Sequence, residues 1–186
     1  MSSVAIVPAA GKGKRFGSSL KLVANVRGEP MLGRTIQSLL EGGVDRVIVV
    51  AAPGISFAAV AALHDPRVTL VVNPDPSRGM FSSIQTGVDA AEGEPILVLP
   101  ADMPFVRGGT VAALLTAARL GDVISPRYRG QRGHPIALPA RLRSEIMKAD
   151  PTSNLSAVLQ AADEDRVELD VDDPGILRDV DTTKDL

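Results

Sequence analysis

The 186-residue chain contains no cysteine and no tryptophan, and aromatic residues make up 3% of it. Without thiols it can form no disulfide, thiolate–zinc site or iron–sulfur cluster, and it has no cysteine nucleophile. The scarcity of aromatic rings argues against a base-stacking surface. A net charge of -2 argues against general nucleic-acid binding. The two histidines, His64 and His134, are too few for a histidine-rich metal site.

Long apolar segments are also missing. No apolar run approaches the roughly 20 residues that a membrane span needs, and the amino-terminal stretch lacks the charged start and the length of a signal peptide. We therefore expect a cytoplasmic protein that binds neither membrane nor nucleic acid. The length, with 45% hydrophobic and 23% charged residues, predicts a single globular domain over residues 1–186.

Charge is distributed unevenly along the chain. Residues 1–34 carry six basic side chains and one acidic, whereas residues 163–186 carry ten acidic and three basic. Solvated faces are the ordinary explanation of such segments. The alternative is that the basic end binds an anionic ligand while some acids of the other end bind its metal.

Short apolar segments alternate with segments of helical periodicity. Predicted strands are Val4–Pro8, Arg46–Ala52, Arg67–Asn73, Pro95–Asp102, Asp122–Pro126, His134–Leu138 and Val167–Leu169. Predicted helices are Met31–Glu41, Ser56–His64, Ser82–Ala91, Thr110–Leu120, Ala140–Ala149 and Asn154–Ala162. Strands that are apolar throughout and separated by helices predict a three-layer α/β domain with a mostly parallel sheet. Ligands of such sheets bind beyond the carboxyl ends of the strands.

The first predicted strand leads into a glycine-rich basic loop, PAAGKGKRFGSSLK (Pro8–Lys21). Small residues let a ligand approach the backbone, and successive amides with four basic side chains suit a polyphosphate. The loop lacks the third glycine of the dinucleotide fingerprint and the G-K-[ST] of a P-loop. The second strand ends without an acid for a ribose, which argues against NAD binding. An exposed basic turn is the alternative explanation.

Two further strands end in polar segments. NPDPSRGMFSS (Asn73–Ser83) places hydrogen-bonding side chains before a helix and suits a base or ribose, although a capped turn would have the same composition. LPADMPFV (Leu99–Val106) presents Asp102 at the end of an apolar strand. There Asp102 could bind a hard cation such as Mg2+ or serve as a turn residue.

The chain ends in the acidic segment RDVDTTKDL (Arg178–Leu186). If this segment is extended, Asp179 and Asp181 share one face of it. Either of them could be a second metal ligand, and a solvated terminus is the alternative.

Together these segments resemble those of the molybdenum cofactor nucleotidyltransferases, the MobA/MocA-like NTP transferases. The matching pieces are PAAGKGKRFGSSLKLVANVRGEPML, NPDPSRGMFSSIQTGV, LPADMPFV, RGHPIALP and RDVDTTKDL, which span nearly the whole chain. The resemblance implies a Rossmann-like fold of the nucleotide-diphospho-sugar transferase type, with one antiparallel strand in its mostly parallel sheet. It implies a Mg2+-dependent enzyme that transfers a nucleoside monophosphate from an NTP to the phosphate of molybdopterin and releases pyrophosphate. A molybdoenzyme or its chaperone is a candidate recipient of the product.

The resemblance also implies roles for individual residues. The implied nucleotide-binding residues are Pro8, Ala9, Ala10, Gly11, Gly13, Arg15, Lys21, Asn73, Ser83 and Asp102. Of these, Arg15, Lys21 and Asp102 would be catalytic, and Asp102 and Asp181 would bind the metal. The residues that would contact the acceptor are Gly133, His134 and Pro135. A catalytic base is not implied, because an acceptor phosphate is already an anionic nucleophile.

Two positions bear on the substrates. Ala9-Ala10-Gly11 resembles the cytidylyltransferase members rather than the A-G-G of guanylyltransferases, and the methyl group of Ala10 would crowd a purine, so CTP is favoured over GTP. Where the family tends to show G-D-x-G, this chain has KADPTSNLS (Lys148–Ser156), which leaves the acceptor open. A sugar phosphate acceptor, a non-catalytic nucleotide-binding module and a metal-dependent glycosyltransferase remain alternatives.

Overall fold

The secondary structure is taken from a computed structural model that describes residues 2–11, 20–57, 60–118, 121–164 and 166–181. The strands within these ranges are β1 (Val4–Pro8), β2 (Asn25–Val26), β3 (Glu29–Pro30), β4 (Arg46–Ala51), β5 (Val68–Val72), β6 (Ile96–Val98), β7 (Val123–Tyr128), β8 (Gln131–Arg132), β9 (Ile136–Leu138) and β10 (Arg166–Asp170). The α-helices are α1 (Leu20–Val23), α2 (Met31–Glu41), α3 (Met80–Ala90), α4 (Gly108–Ala117), α5 (Arg143–Lys148) and α6 (Leu155–Ala161).

One mixed sheet organises the chain, with the strand order β10-β7-β9-β6-β1-β4-β5. The pairs β6–β1, β1–β4, β4–β5 and β10–β7 are parallel, whereas β9 runs antiparallel to both of its neighbours. The two-residue β8 adds an antiparallel pair to β7, and β2 and β3 form a separate hairpin. The predicted mostly parallel sheet with one antiparallel strand in its body is therefore confirmed.

Each face of the sheet has its own apolar core. Along β1, Ala5 and Val7 pack with residues of α2 and α4, while Val4 and Ile6 pack with residues of α3, α5 and α6. All four side chains are fully buried. Because successive strand residues point to opposite faces, a strand covered on both sides must be apolar throughout. This requirement explains the unbroken apolar sequence of β1 and the three layers of the fold.

The helix predicted over Ser56–His64 is wrong. Its described part contains a 3-10 helix only at Ala61–His64. Phe57 and Val60 are buried in the core and are joined by a hydrogen bond from Val60 N–H to the Phe57 carbonyl. Anchoring both side chains in the core of a short connection overrides the helix preference of the alanine-rich sequence.

The segment after β10 returns to the loop that follows β6. Asp173 is 2% exposed, and its carboxylate accepts hydrogen bonds from Arg107 N–H, the Thr110 hydroxyl and Gly175 N–H at 2.7–2.9 Å. A carboxylate with three donors is stable in such a place. The acidic end of the chain is thus not uniformly solvated, because Asp173 anchors it to the start of α4.

No helix in the described ranges has both the length and the hydrophobicity that crossing a bilayer requires.

Candidate active site

Three charged side chains that are far apart in the sequence meet beyond the carboxyl end of β6. Lys21 Nζ lies 2.9 Å from Asp102 Oδ2 and 3.2 Å from Asp181 Oδ1. The Lys21 side chain is 11% exposed, whereas those of Asp102 and Asp181 are 29% and 55% exposed. The structure therefore brings together the predicted phosphate-binding lysine and both predicted metal ligands, with the carboxylates accessible to solvent.

The backbone beside Asp102 is held by the first strand and the second helix. Ala101 N–H donates to the carbonyl of Pro8, the last residue of β1, at 3.2 Å. The hydroxyl of Thr35 in α2, which is fully buried, donates to the Ala101 carbonyl at 3.0 Å. These contacts fix the position of Asp102 relative to the first loop.

The end of the described chain is attached to the same loop. Val180 is fully buried, and its N–H donates to the Asp102 carbonyl at 2.9 Å. Burial of Val180 leaves Asp179 and Asp181 exposed on either side of it. Of these two acids, Asp181 is the one that contacts Lys21.

The environment of Lys21 favours its charged form. Burial by itself lowers the pKa of the ammonium group, but the hydrogen bonds and negative charges of Asp102 and Asp181 outweigh it and raise the pKa above 10.5. Asp102 and Asp181 both contact Lys21 through carboxylate oxygens, so a metal ion bound by these oxygens would compete with Lys21 for them.

The donor set suits a divalent metal that brings other ligands with it. Among the described residues, no group of three or more His, Asp or Glu side chains is arranged to hold a metal ion. Mg2+ is commonly bound through one or two carboxylates, with phosphate oxygens and waters completing its shell. Asp102 and Asp181 fit this pattern, whereas a metal held by protein ligands alone would need more donors.

The first loop begins beside this cluster. Ala9 and Ala10 follow β1 and are each 2% exposed, whereas Gly11 is exposed. The carbonyl of Pro8 accepts a hydrogen bond from Ala101 N–H, which precedes Asp102. The start of the predicted polyphosphate loop therefore lies next to the carboxylates. Two further predicted nucleotide-binding residues, Gly13 and Arg15, lie outside the described residues.

The residues after β5 form an internal hydrogen-bond network. Asn73 is fully buried, and its side-chain NH2 donates to the Ser82 and Ser83 hydroxyls at 2.8 and 3.0 Å. Its side-chain carbonyl accepts from Asp75 N–H at 3.0 Å. Asn73 and Ser83, both predicted nucleotide contacts, therefore connect the loop to α3 from inside the protein. Contact of either residue with a nucleotide stays a prediction.

The predicted acceptor segment precedes β9 and is fixed by its backbone. Gly133 N–H donates to the Pro126 carbonyl at 2.9 Å, and His134 N–H donates to the Ile176 carbonyl at 3.0 Å. A Cβ on Gly133 would lie 2.2 Å from the Ile176 carbonyl oxygen, so this close approach requires glycine. Pro135 is buried behind it.

The imidazole of His134 lies within electrostatic range of the carboxylate cluster. Burial lowers the pKa of His134 and the positive charge of Arg166 lowers it further, while Asp102 and Asp179 raise it to a smaller extent. The net pKa is below 6.5, so the side chain is neutral at pH 7. The predicted acceptor segment therefore borders the predicted metal ligands.

Two charged residues, Asp173 and Arg166, lie in no sequence motif that would predict their contacts in the folded chain. Asp173 belongs to an acidic run that composition assigns to solvent, yet it is buried. Arg166 begins β10, and its guanidinium donates to the Ser156 hydroxyl at 2.7 Å. Only the contacts made by the folded chain distinguish them from ordinary surface charges.

Comparison with known proteins assigns the family. The family model described as the MobA-like NTP transferase domain matches residues 5–167. The chain belongs to this family. The resemblance drawn from the sequence is thereby confirmed, and membership in the MobA-like family supports a nucleotidyltransferase that uses nucleoside triphosphates.

Curated relatives of this MobA-like protein carry different names. It is 33% identical to a nicotine blue oxidoreductase of Paenarthrobacter nicotinovorans, over 76% of this chain and 72% of that protein. It is 30% identical to a probable molybdenum cofactor guanylyltransferase of Haloferax mediterranei, over 73% of this chain and 62% of that protein. The chain thus spans less than two thirds of the second relative's length.

Solved structures support the MobA-like fold. The crystal structure of Rv0371c from Mycobacterium tuberculosis H37Rv aligns with a TM-score of 0.83 at 22% identity, covering 100% of this chain and 96% of that one. Its complex with manganese aligns with a TM-score of 0.80 at 22% identity, covering 100% and 95%. At this level of identity the likeness establishes the fold.

Proposed function

We propose that this MobA-like protein transfers CMP from CTP to the phosphate of a molybdopterin-type acceptor and releases pyrophosphate, with Mg2+ as its metal. The observation that carries the proposal is the contact of Lys21 with Asp102 and Asp181 beside the loop that follows β1. Family membership supports the nucleoside triphosphate, and the manganese complex of the structural neighbour supports a divalent cation. The cytoplasmic location predicted from the sequence stays a prediction.

The reaction places its demands on charge and alignment. An acceptor phosphate oxygen attacks the α-phosphorus of CTP, and the bond from that phosphorus to the oxygen of the departing pyrophosphate breaks. Negative charge spreads over the α-phosphoryl oxygens and the leaving group, so catalysis consists of positioning and electrostatic stabilisation. No proton must be removed from an anionic acceptor, so the reaction requires no base and assigns no such role to His134.

The charged cluster meets these demands with its own residues. Lys21 is charged and held near the carboxylates, from which its ammonium group can turn to the phosphates of bound CTP. Asp102 and Asp181 would hold Mg2+, which would neutralise phosphate oxygens when bound. Arg15 is the proposed second cation for the leaving pyrophosphate.

The choice of CTP rests on the first loop. Ala9-Ala10-Gly11 at the start of this loop resembles the cytidylyltransferase members, and a methyl group at Ala10 is expected to disfavour a purine. The Haloferax mediterranei relative is named a probable guanylyltransferase. Under this proposal the two proteins would differ in the base of the nucleotide that they use. The proposal ranks a sugar phosphate acceptor second, because the segment Lys148–Ser156 departs from the family pattern.

Pyrophosphate release with each of the four common NTPs, Mg2+ and molybdopterin tests the proposal. We expect CTP to be used with a kcat/KM at least about tenfold above that of GTP, corresponding to about 1.4 kcal/mol of discrimination. Faster use of GTP would overturn the choice of base, and release only with a sugar phosphate would overturn the acceptor.

A further inference from the structure

Arg166 is a cation at the predicted acceptor side that the proposed reaction does not use. Within the described ranges its side chain makes one hydrogen bond, to the Ser156 hydroxyl, and forms no ion pair with a carboxylate. The neighbouring arginines differ, because Arg127 pairs with Glu168 and Asp170, and Arg132 pairs with Glu168. Arg166 is therefore the cation of this sheet edge that lacks a counter-ion in the described structure.

The surroundings of Arg166 disfavour its positive charge, because no carboxylate of the described residues pairs with it. Arg166 is half-buried, and burial together with the positive charge of Arg132 lowers its pKa. The hydroxyl of Ser125, on the adjacent strand β7, is fully buried and has no hydrogen-bond partner among the described residues. A group that could accept hydrogen bonds and carry negative charge would relieve the repulsion between the arginines.

The side chain of Arg166 lies on the face of the sheet covered by α6. Along β10, Leu169 packs with the α2 and α4 core, so Arg166 points to the opposite face. Its bond to Ser156, in the first turn of α6, agrees with this direction.

This cation is separated from the carboxylate cluster along the sheet. In the parallel register of β10 with β7, Arg166 is opposite Val123, the first residue of β7. Asp102, in contrast, follows the carboxyl end of β6, and His134 lies within electrostatic range of both charges. A ligand that reaches the carboxylates and Arg166 together must extend past His134 along this face.

We infer that Arg166, positioned by Ser156, binds a second anionic group of the acceptor, distant from the phosphate that is joined to the nucleotide. The inference rests on the proposed function, and it names the acceptor class: a phosphate monoester that carries a further anionic group. The dithiolate of molybdopterin is such a group, whereas an otherwise neutral sugar phosphate has none. Arg166 is thus a specificity residue for the acceptor, outside the nucleotide site.

A titration with inorganic phosphate tests the anion site without turnover. The Nε–Hε NMR signals of the arginines are followed in the wild-type protein, in Arg166→Lys to assign the signal, and in Arg67→Lys as control. Arg67 is exposed and pairs with Asp65 at the far edge of the sheet. We expect a saturable shift of the Arg166 signal at phosphate concentrations that leave the Arg67 signal in place. An Arg166 signal that moves no more than that of Arg67 overturns the inference.

Steady-state pyrophosphate release with CTP and molybdopterin gives the second readout. We expect Arg166→Ala to raise the KM for molybdopterin at least about tenfold, as for the loss of a charge-assisted hydrogen bond. The KM for CTP should change less than about twofold, Arg166→Lys should recover part of the loss, and Arg67→Ala should resemble wild type. An unchanged acceptor KM, or an equal rise of both KM values, overturns the inference.

The two measurements separate the inference from the proposed function. If the wild-type protein releases no pyrophosphate with any NTP and molybdopterin, the proposed function fails, and the phosphate titration still decides whether Arg166 is an anion site. If turnover is normal but the Arg166 NMR signal does not shift when phosphate is added, the inference fails and the proposed function stands. Circular dichroism of each variant establishes that it is folded.

Discussion

Two polar groups at the ends of β6 and β5, which β1 and β4 separate in the sheet, differ in how far their side chains reach solvent. At the end of β6, the carboxylates of Asp102 and Asp181 are 29% and 55% exposed and share one ammonium group. At the end of β5, Asn73 and Ser83 are at most 3% exposed and bind each other inside the protein. Position at a strand end therefore does not determine exposure: the carboxylates of Asp102 and Asp181 reach solvent, whereas Asn73 and Ser83 do not.

Removing a carboxylate of the exposed group should have the largest effect. We predict that Asp102→Ala lowers kcat/KM for pyrophosphate release at least about 10²-fold, the usual size for the loss of one electrostatic contact to a transition state. The isosteric Asp102→Asn should lose a similar amount, because it is the charge that matters. Near-normal turnover in either variant would show that Asp102 is not catalytic.

Removing the ammonium group should separate turnover from metal binding. We predict that Lys21→Met lowers kcat/KM at least about 10²-fold and, without nucleotide, raises the affinity for Mn2+, because the cation no longer competes with Lys21 for Asp102 and Asp181. Titration monitored by the electron paramagnetic resonance of free Mn2+ measures this affinity. Weaker Mn2+ binding than in wild type would contradict the competition.

The buried group should affect stability more than chemistry. We predict that Asn73→Ala lowers the free energy of unfolding by about 1–3 kcal/mol, because it leaves buried donors and acceptors without partners. Its kcat/KM should fall less than that of Asp102→Ala. Ser77→Ala, in the exposed part of the same loop, is the control for urea unfolding. A large kinetic loss with unchanged stability would instead place Asn73 among the nucleotide contacts.

The smallest expected effect is a pH dependence of stability at His134. The pKa of His134 is lowered in the folded protein, so the unfolded chain takes up a proton first as the pH falls below about 6.5. The stabilising contribution is present above that pH and is lost on acidification. We predict that His134→Gln loses less stability than wild type between pH 7.5 and 5.5 in urea unfolding. His64→Gln, which alters an exposed side chain, should keep the wild-type dependence.

Several elements of the fold and of the candidate site can be predicted from the sequence, because the patterns that indicate them are local. Met31–Glu41 has helical periodicity and is α2, and the apolar strands mark the parallel sheet. Asp102 stands out as the acid that ends the predicted strand Pro95–Asp102, although β6 itself ends at Val98. Its partner Asp181 was one of two choices, since alternation places both acids on one face, and the contact with Lys21 decides which one joins the cluster.

Other parts depend on contacts between distant residues. The burial of Asp173 requires donors from α4, and the helix expected over Ser56–His64 gives way to the packing of Phe57 and Val60 in the core. The arrangement around Arg166 depends on α6 and on the register of β10. Composition and periodicity carry no signal for such tertiary interactions.

The affinity for CTP with and without Mg2+, measured by isothermal titration calorimetry, tests the central claim most directly. If Lys21, Asp102 and Asp181 form a nucleotide–metal site, Mg2+ should tighten CTP binding at least about tenfold in the wild-type protein. The same addition should have little effect in Asp102→Asn. Equal affinities with and without Mg2+ in the wild type, or full Mg2+ dependence in Asp102→Asn, would contradict the account.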